Sequence, residues 1–285
     1  MKNNHNKKIF WIASYPKSGN TWMRAIILSL FFTKDGIFDF NLLDQIKYFD
    51  TPGNYEFIES LNNEDFKNLE DLTVISKYWV EAQKRSVITN GNFAFYKTHS
   101  ANIKVNEYRY TNEDTTLGLI YLVRDPRDIV LSYAKHKGMS INETINLMKN
   151  ENILTFSGGG YPVILSSWNH HYSSWINLNV PKIIIRYEDL LEKTEMILWK
   201  LIDFFSINYH IRFNDAKRVV NNILLSTTFE KFQEYEKKHG FSEATKNSMF
   251  FRKGKKNQWE GKLKKYQLNI IENTFQSPMK EINYL

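Results

Sequence analysis

Short apolar runs alternate along this chain with longer stretches of helical period. Residues 9–13 (Ile-Phe-Trp-Ile-Ala), 92–97 (Asn-Phe-Ala-Phe-Tyr-Lys), 117–123 (Leu-Gly-Leu-Ile-Tyr-Leu-Val) and 182–186 (Lys-Ile-Ile-Ile-Arg) read as strands, the first and second as buried ones. Between them apolar residues recur at three and four, as in Trp22, Met23, Ile26, Ile27, Leu30 and Phe31 after Asn20. The same period predicts helices over 72–85, 163–178, 188–205, 214–224 and 226–239, and from Lys265 onward. Asp125 and Pro126 suit an N-cap and a first helical position, and Ser140 with Glu143 suits a capping box. Residues 33–71 alternate short helical patterns with turns around Pro52 and Gly53 and are expected over the mouth of a site. The run 157–162, with Gly158, Gly159 and Gly160, is expected to be the most flexible loop and to move.

Strands alternating with helices imply an α/β fold: one domain over 1–285 with a central, mainly parallel sheet covered by helices on both faces. In such sheets ligands sit at the carboxyl ends of the strands. That rule collects residues 14–22, Lys97 to His99, Arg124 and Tyr187 at one edge. The stretch after the first strand, Tyr15-Pro16-Lys17-Ser18-Gly19-Asn20-Thr21-Trp22, is a tight loop entering a helix. Such a loop aims backbone N–H groups and the positive end of a helix dipole at one place. Lys17 adds a charge, and Ser18 and Thr21 add hydroxyl donors, so the loop suits a phosphate-like group. It is not the common nucleotide loop, because Lys17 precedes Gly19. Arg124, ending the third strand, can hold a second anionic group as a bidentate donor, with Ser132 about two helical turns on. Arg252, Lys253 and Gly254 could close over that group. Two separate anion sites suggest a nucleotide phosphorylated at two positions. Asp125 and Asp128 read as helix-start charges, and a metal-binding carboxylate is not evident.

Composition narrows the classes. Cysteine is absent, which excludes disulfides, thiolate metal sites and cysteine nucleophiles. The lysine-rich start carries no secretory apolar segment and no run reaches membrane-spanning length, so a cytoplasmic protein is expected. The net charge of +7 is spread along the chain rather than clustered, which argues against a nucleic-acid partner.

The loop 15–22 resembles the 5′-phosphosulfate loop, Y-P-K-S-G-T-T-W, of the cytosolic sulfotransferases. Arg124-Asp125-Pro126-Arg127-Asp128 through Ser132 is similar to that family's 3′-phosphate motif, and Arg252-Lys253-Gly254 with Trp259 to its C-terminal R-K-G-x-x-G-x-W. Lys97 and His99 match K-x-H, residues 167–175 match S-W-x-x-H-x-x-x-W, Tyr187-Glu188-Asp189 matches Y-E-D, and Thr227-Thr228-Phe229 resembles T-S-F. Asn20 replaces the usual Thr and Asn257 the second Gly of the last loop, and the family's dimer segment is not found after Trp259. The resemblance implies 3′-phosphoadenosine-5′-phosphosulfate (PAPS) as cofactor, with 3′,5′-ADP as product and no metal. It implies a phosphosulfate site at Lys17, Ser18, Gly19, Asn20, Thr21 and Trp22, and a 3′-phosphate site at Arg124, Ser132, Arg252, Lys253 and Gly254. It also implies adenine contacts at Tyr187, Thr227 and Phe229.

The implied reaction moves a sulfuryl group in line to a hydroxyl or amine, with His99 as general base and Lys17 and Lys97 stabilising developing charge. The acceptor stays open among small phenol, sterol, lipid, sugar and amine, as do oligomeric state and dimer interface. The segments 33–71, 158–161 and 236–249, where an acceptor would lie, resemble no single acceptor class. The alternative is a small-molecule P-loop kinase, which shares the fold but needs Lys after Gly and a metal carboxylate. His171, beside two Trp, reads as a packed helix residue and as the second choice of base.

Overall fold

A computed structural model describes residues 9–86, 93–156, 161–246 and 248–285; the polar start 1–8 and the glycine run 158–160 lie outside them. The elements that position functional groups are β1 (Ile9–Ser14), α1 (Asn20–Phe32), β2 (Ala94–Thr98), β3 (Thr116–Val123), α2 (Pro126–Lys137), α3 (Trp168–Ile176), β4 (Lys182–Arg186), α4 (Tyr187–Glu192) and α5 (Phe229–His239). The strands form one parallel sheet in the order β2-β1-β3-β4, flanked by helices, which is the α/β class expected. The chain groups into two compact units, each built from three segments.

The first unit comprises 1–15, 45–121 and 150–184. All of β1 is buried, which is why it reads as an unbroken apolar run rather than an alternating one. It pairs in parallel with β2, from Ile9 opposite Ala94 to Ala13 opposite Thr98. Trp11 centres this core: its indole N–H donates to Thr116 Oγ1 (3.2 Å), and its ring meets Phe49, Tyr110 and Trp175 at 5.2, 5.7 and 5.8 Å. Two expected helices differ. The stretch 72–85 is two short α-helices joined by a 3-10 turn at Ser76–Tyr78. The stretch 163–178 starts as a strand, Pro162–Ile164, antiparallel to Leu154–Phe156, and α3 begins only at Trp168. β-branched Val163 and Ile164 favour the strand, and Ser166 at φ 58° breaks the chain away from it.

The second unit comprises 16–44, 122–149 and 185–285. Asp125 caps α2 by accepting from the Arg127 N–H (2.9 Å), with Pro126 following it. Ser140 and Glu143 exchange the two hydrogen bonds of a capping box. The helical pattern of 188–205 is two helices, α4 and Thr194–Tyr209, parted at Lys193. Arg127 ties this unit together. Its guanidinium takes both oxygens of Asp125, donates to Glu272 (2.7 Å) and to the Tyr284 carbonyl (2.9 Å), and stacks on Trp259 (4.2 Å).

Removing one member of a buried ion pair leaves the other charge desolvated and costs roughly 3–5 kcal/mol. Arg127→Ala is expected to lower the unfolding free energy measured in urea by that amount. Arg85→Ala, which breaks the exposed pair with Glu81, is expected to change it by less than about 0.5 kcal/mol. Equal unfolding free energies for the two variants would show that the Arg127 network does not hold the second unit together.

Candidate active site

The second unit carries the anion loop. Lys17 sits at φ 69° and Gly19 at φ 92°, so two left-handed residues within three positions turn the chain sharply into α1. Such a turn makes a concave row of backbone N–H groups. Gly19 is required there: a Cβ would lie 2.8 Å from the Tyr187 ring, which packs against the loop. Burial pulls the Lys17 ammonium down to about pKa 8, against Glu243, which raises it; Arg124 and Arg252 lower it further. Its Nζ lies 4.0 Å from the centre of the Phe250 ring. Glu243 accepts from Arg24 (2.8 Å) and from the Thr21 hydroxyl (3.4 Å), so a carboxylate of this chain stands at the N-terminus of α1. Glu236 holds the segment that bears Phe250 by accepting from the Phe250 and Phe251 N–H groups (2.6 and 2.8 Å). The sequence offers no local signal for Glu243 or Phe250, because both are brought to the loop from more than 200 residues away.

Arg124 joins this loop to a second one. Buried, it donates to the Lys17 carbonyl (3.0 Å) and to the Lys255 carbonyl (3.2 Å), faces Asp128 at 3.7 Å and lies 4.2 Å over the Tyr187 ring. The loop 252–257 takes its shape from two left-handed residues. Gly254 (φ 57°) must be glycine, since a Cβ would come within 2.6 Å of the Phe229 ring. Asn257 (φ 54°) holds the left-handed conformation a second glycine would, which explains why Asn is accepted in its place. Asp128 does more than start a helix: it also accepts from the Trp259 N–H (3.1 Å).

Lys17, Gly19, Arg124, Tyr187, Phe229 and the loop 252–257 are thus assembled in one unit. Other expected residues stand apart in character. Ser132 is half-buried on α2, Lys253 is exposed, and the buried Thr227 hydroxyl donates back to the Ile223 carbonyl (2.8 Å). The fit to an anionic ligand rests on orphaned donors. Ser18 Oγ, Trp22 Nε1 and Arg124 Nε are buried with no hydrogen-bond partner among the described residues. A phosphate-type oxygen would satisfy such groups. Among the described residues no three acidic or histidine side chains are grouped to hold a metal ion.

The first unit carries His99 and His171, the two histidines considered as bases. Lys97, buried on β2, lies with Nζ 3.8 Å from the centre of the Tyr48 ring, which meets the His99 ring edge-on at 5.6 Å. His99 Nδ1 is 2.7 Å from the Ser14 carbonyl oxygen. A carbonyl only accepts, so Nδ1 carries the proton and neutral His99 keeps its lone pair on Nε2, as a general base requires. His171 is different. Its Nε2 donates to the His99 carbonyl (3.1 Å), its Nδ1 takes the Tyr121 hydroxyl proton (2.8 Å), and full burial drives its pKa down to about 3. With both nitrogens engaged inside the core, His171 is the packed helix residue expected from its place beside two Trp.

A family model described as the sulfotransferase domain matches residues 7–283. The flavonol 3-sulfotransferase of Flaveria bidentis is 24% identical over 267 residues, covering 90% of this chain and 76% of that one. Two solved structures have a similar fold. Retinol dehydratase in complex with androsterone and the inactive cofactor PAP aligns with a TM-score of 0.61 at 20% identity, over 96% of this chain and 81% of that one. Mouse sulfotransferase SULT7A1 complexed with PAP aligns with a TM-score of 0.54 at 19% identity, over 96% and 85%. The match over nearly the whole chain, added to a loop-and-arginine cradle with orphaned donors, makes this protein an enzyme of the sulfotransferase family.

Proposed function

We propose that this enzyme transfers the sulfuryl group of PAPS to a hydroxyl or amine of a small-molecule acceptor, with residues 1–285 acting as one sulfotransferase domain. The observation that carries the reading is the cradle around Arg124, where two backbone loops, a lysine and buried unpartnered donors are held ready for anionic oxygens. PAPS, when bound, supplies the sulfuryl group and a phosphate leaving group. The chain's residues do the rest. Ser18, Asn20, Thr21, Trp22 and the loop N–H groups would hold the phosphosulfate. Arg124, with Ser132, Arg252, Lys253 and Gly254, would hold the 3′-phosphate. Tyr187, Thr227 and Phe229 would border the adenine. His99 Nε2 takes the acceptor proton as the new bond forms. Lys17 stabilises charge growing on the leaving oxygen, and Lys97 assists. Donors fixed before the reaction need no reorganisation during it.

At about a hundred times its Kd a ligand stabilises by roughly 2.7 kcal/mol, several degrees in a chain of this size. 3′,5′-ADP should give that shift in Tm at concentrations where ADP gives little, and Arg124→Ala should weaken 3′,5′-ADP by the order of 2–5 kcal/mol and ADP by less, since both nucleotides use the Lys17 loop that Arg124 holds but only one carries a 3′-phosphate. Equal shifts for both nucleotides would favour the kinase alternative.

His99→Gln should keep 3′,5′-ADP affinity and cut kcat by about 10²–10⁴-fold, measured with labelled cofactor on an acceptor found by screening. Near-normal turnover would remove His99 from the chemistry.

Lys17 titrates near 8 in the free protein, and a bound phosphate would raise that value. Binding of 3′,5′-ADP should therefore take up a proton above about pH 8, and affinity should fall as pH rises through 8. Calorimetry in two buffers of different ionisation enthalpy reads the uptake. No uptake at pH 9 would place Lys17 away from the phosphate.

A further inference from the structure

Asp50 is fully buried in the first unit, and nothing in the proposed chemistry uses it. Its carboxylate accepts from the Tyr110 hydroxyl (3.0 Å) and lies 3.5 Å from both the Thr98 and Ser100 hydroxyls. The Tyr110 hydroxyl is also 2.9 Å from Thr98 Oγ1, and the Ser100 N–H donates to that same Oγ1 (2.9 Å). Thr98 and Ser100 are the two neighbours of His99 in the chain. Both backbone arms of the histidine are therefore anchored on one acid. A second anchor points the same way. Asp50 lies two residues beyond Tyr48, and backbone hydrogen bonds tie this segment to β2: Lys97 N–H to the Lys47 carbonyl (2.9 Å) and Phe49 N–H to the Lys97 carbonyl (3.1 Å). Burying a carboxyl here raises its pKa to about 7, while the hydrogen bonds from Tyr110, Ser100 and Thr98 oppose that rise. An acid kept at such a cost inside an aromatic core is a strong constraint on whatever surrounds it.

We propose that Asp50 is a positioning residue for His99: through Tyr110, Thr98 and Ser100 it fixes the backbone on both sides of the ring and so preserves the Nδ1–H bond to the Ser14 carbonyl. That bond selects the tautomer in which Nε2 accepts protons. The catalytic consequence rests on His99 being the base, but the structural claim does not.

The test uses the full chain labelled with ¹⁵N-histidine, the His99 signals being those lost in His99→Gln. In the parent protein, long-range ¹H–¹⁵N spectra should show His99 protonated at Nδ1 and bare at Nε2. Asp50→Asn should shift His99 toward the other tautomer and lower kcat about tenfold, with 3′,5′-ADP affinity and acceptor KM within about twofold. Thr98→Val should shift the His99 signals in the same direction. Thr98→Ser, which keeps the hydroxyl, should match the parent. Should Asp50→Asn fail to fold, Thr98→Val and Tyr110→Phe carry the same test. Unchanged His99 signals in every folded variant overturn the positioning role, whatever turnover does. Shifted signals in an enzyme whose His99→Gln form is still active support the positioning role and overturn the assignment of His99 as base instead.

Discussion

A guanidinium taken out of water must find acceptors, and that requirement at Arg124 organises the second unit. Its acceptors are two main-chain carbonyls, of Lys17 and of Lys255, one from each loop. One buried charge thus holds both loops at fixed distance, with the Tyr187 ring beneath it and Asp128 beside it. The ring in turn leaves no room for a Cβ at Gly19. Loop shape, glycine placement and aromatic packing are consequences of the same constraint.

The cradle is also electrostatically unfinished. Lys17, Arg124 and Arg252 lie close enough for the two arginines to depress the lysine, and Glu243 and Glu236 offset them in part. A lysine held near pKa 8 by burial is one whose charge an incoming anion would stabilise. Lys17 also holds a left-handed backbone that non-glycine residues avoid, a local strain of order 1–2 kcal/mol that the surrounding contacts offset. Strain and desolvation concentrated on one loop are common where a ligand supplies the missing interactions.

In the first unit two histidines of identical chemistry are separated by their partners. A carbonyl on Nδ1 gives His99 a defined tautomer. A carbonyl on one nitrogen and a phenol on the other leave His171 neutral and fully used. Since the acceptor for His171 is the His99 carbonyl itself, the packed histidine supports the placement of the other.

Much of this was legible in residue order. The alternation of apolar runs and helical periods defines the α/β class. The loop from Tyr15 to Trp22, Arg124 at a strand end and Gly254 near Trp259 announce anion chemistry, because turns, caps and strand ends depend on neighbours in the chain. Where local preferences compete, period alone misleads: Val163 and Ile164 fit a helix by period but a strand by branching, and pairing with residues 154 and 155 decides it. What residue order could not contain were contacts between distant segments. Glu243 on Arg24, Phe250 over Lys17, Phe229 against Gly254 and Asp50 behind His99 each need a chain reversal to exist. The sequence alone determined which groups could bind an anion or accept a proton. Only the tertiary structure decided their partners, and with them Lys17's depressed pKa, His99's tautomer and the full engagement of both His171 nitrogens, because burial and hydrogen-bond geometry belong to the folded neighbourhood and not to the residue.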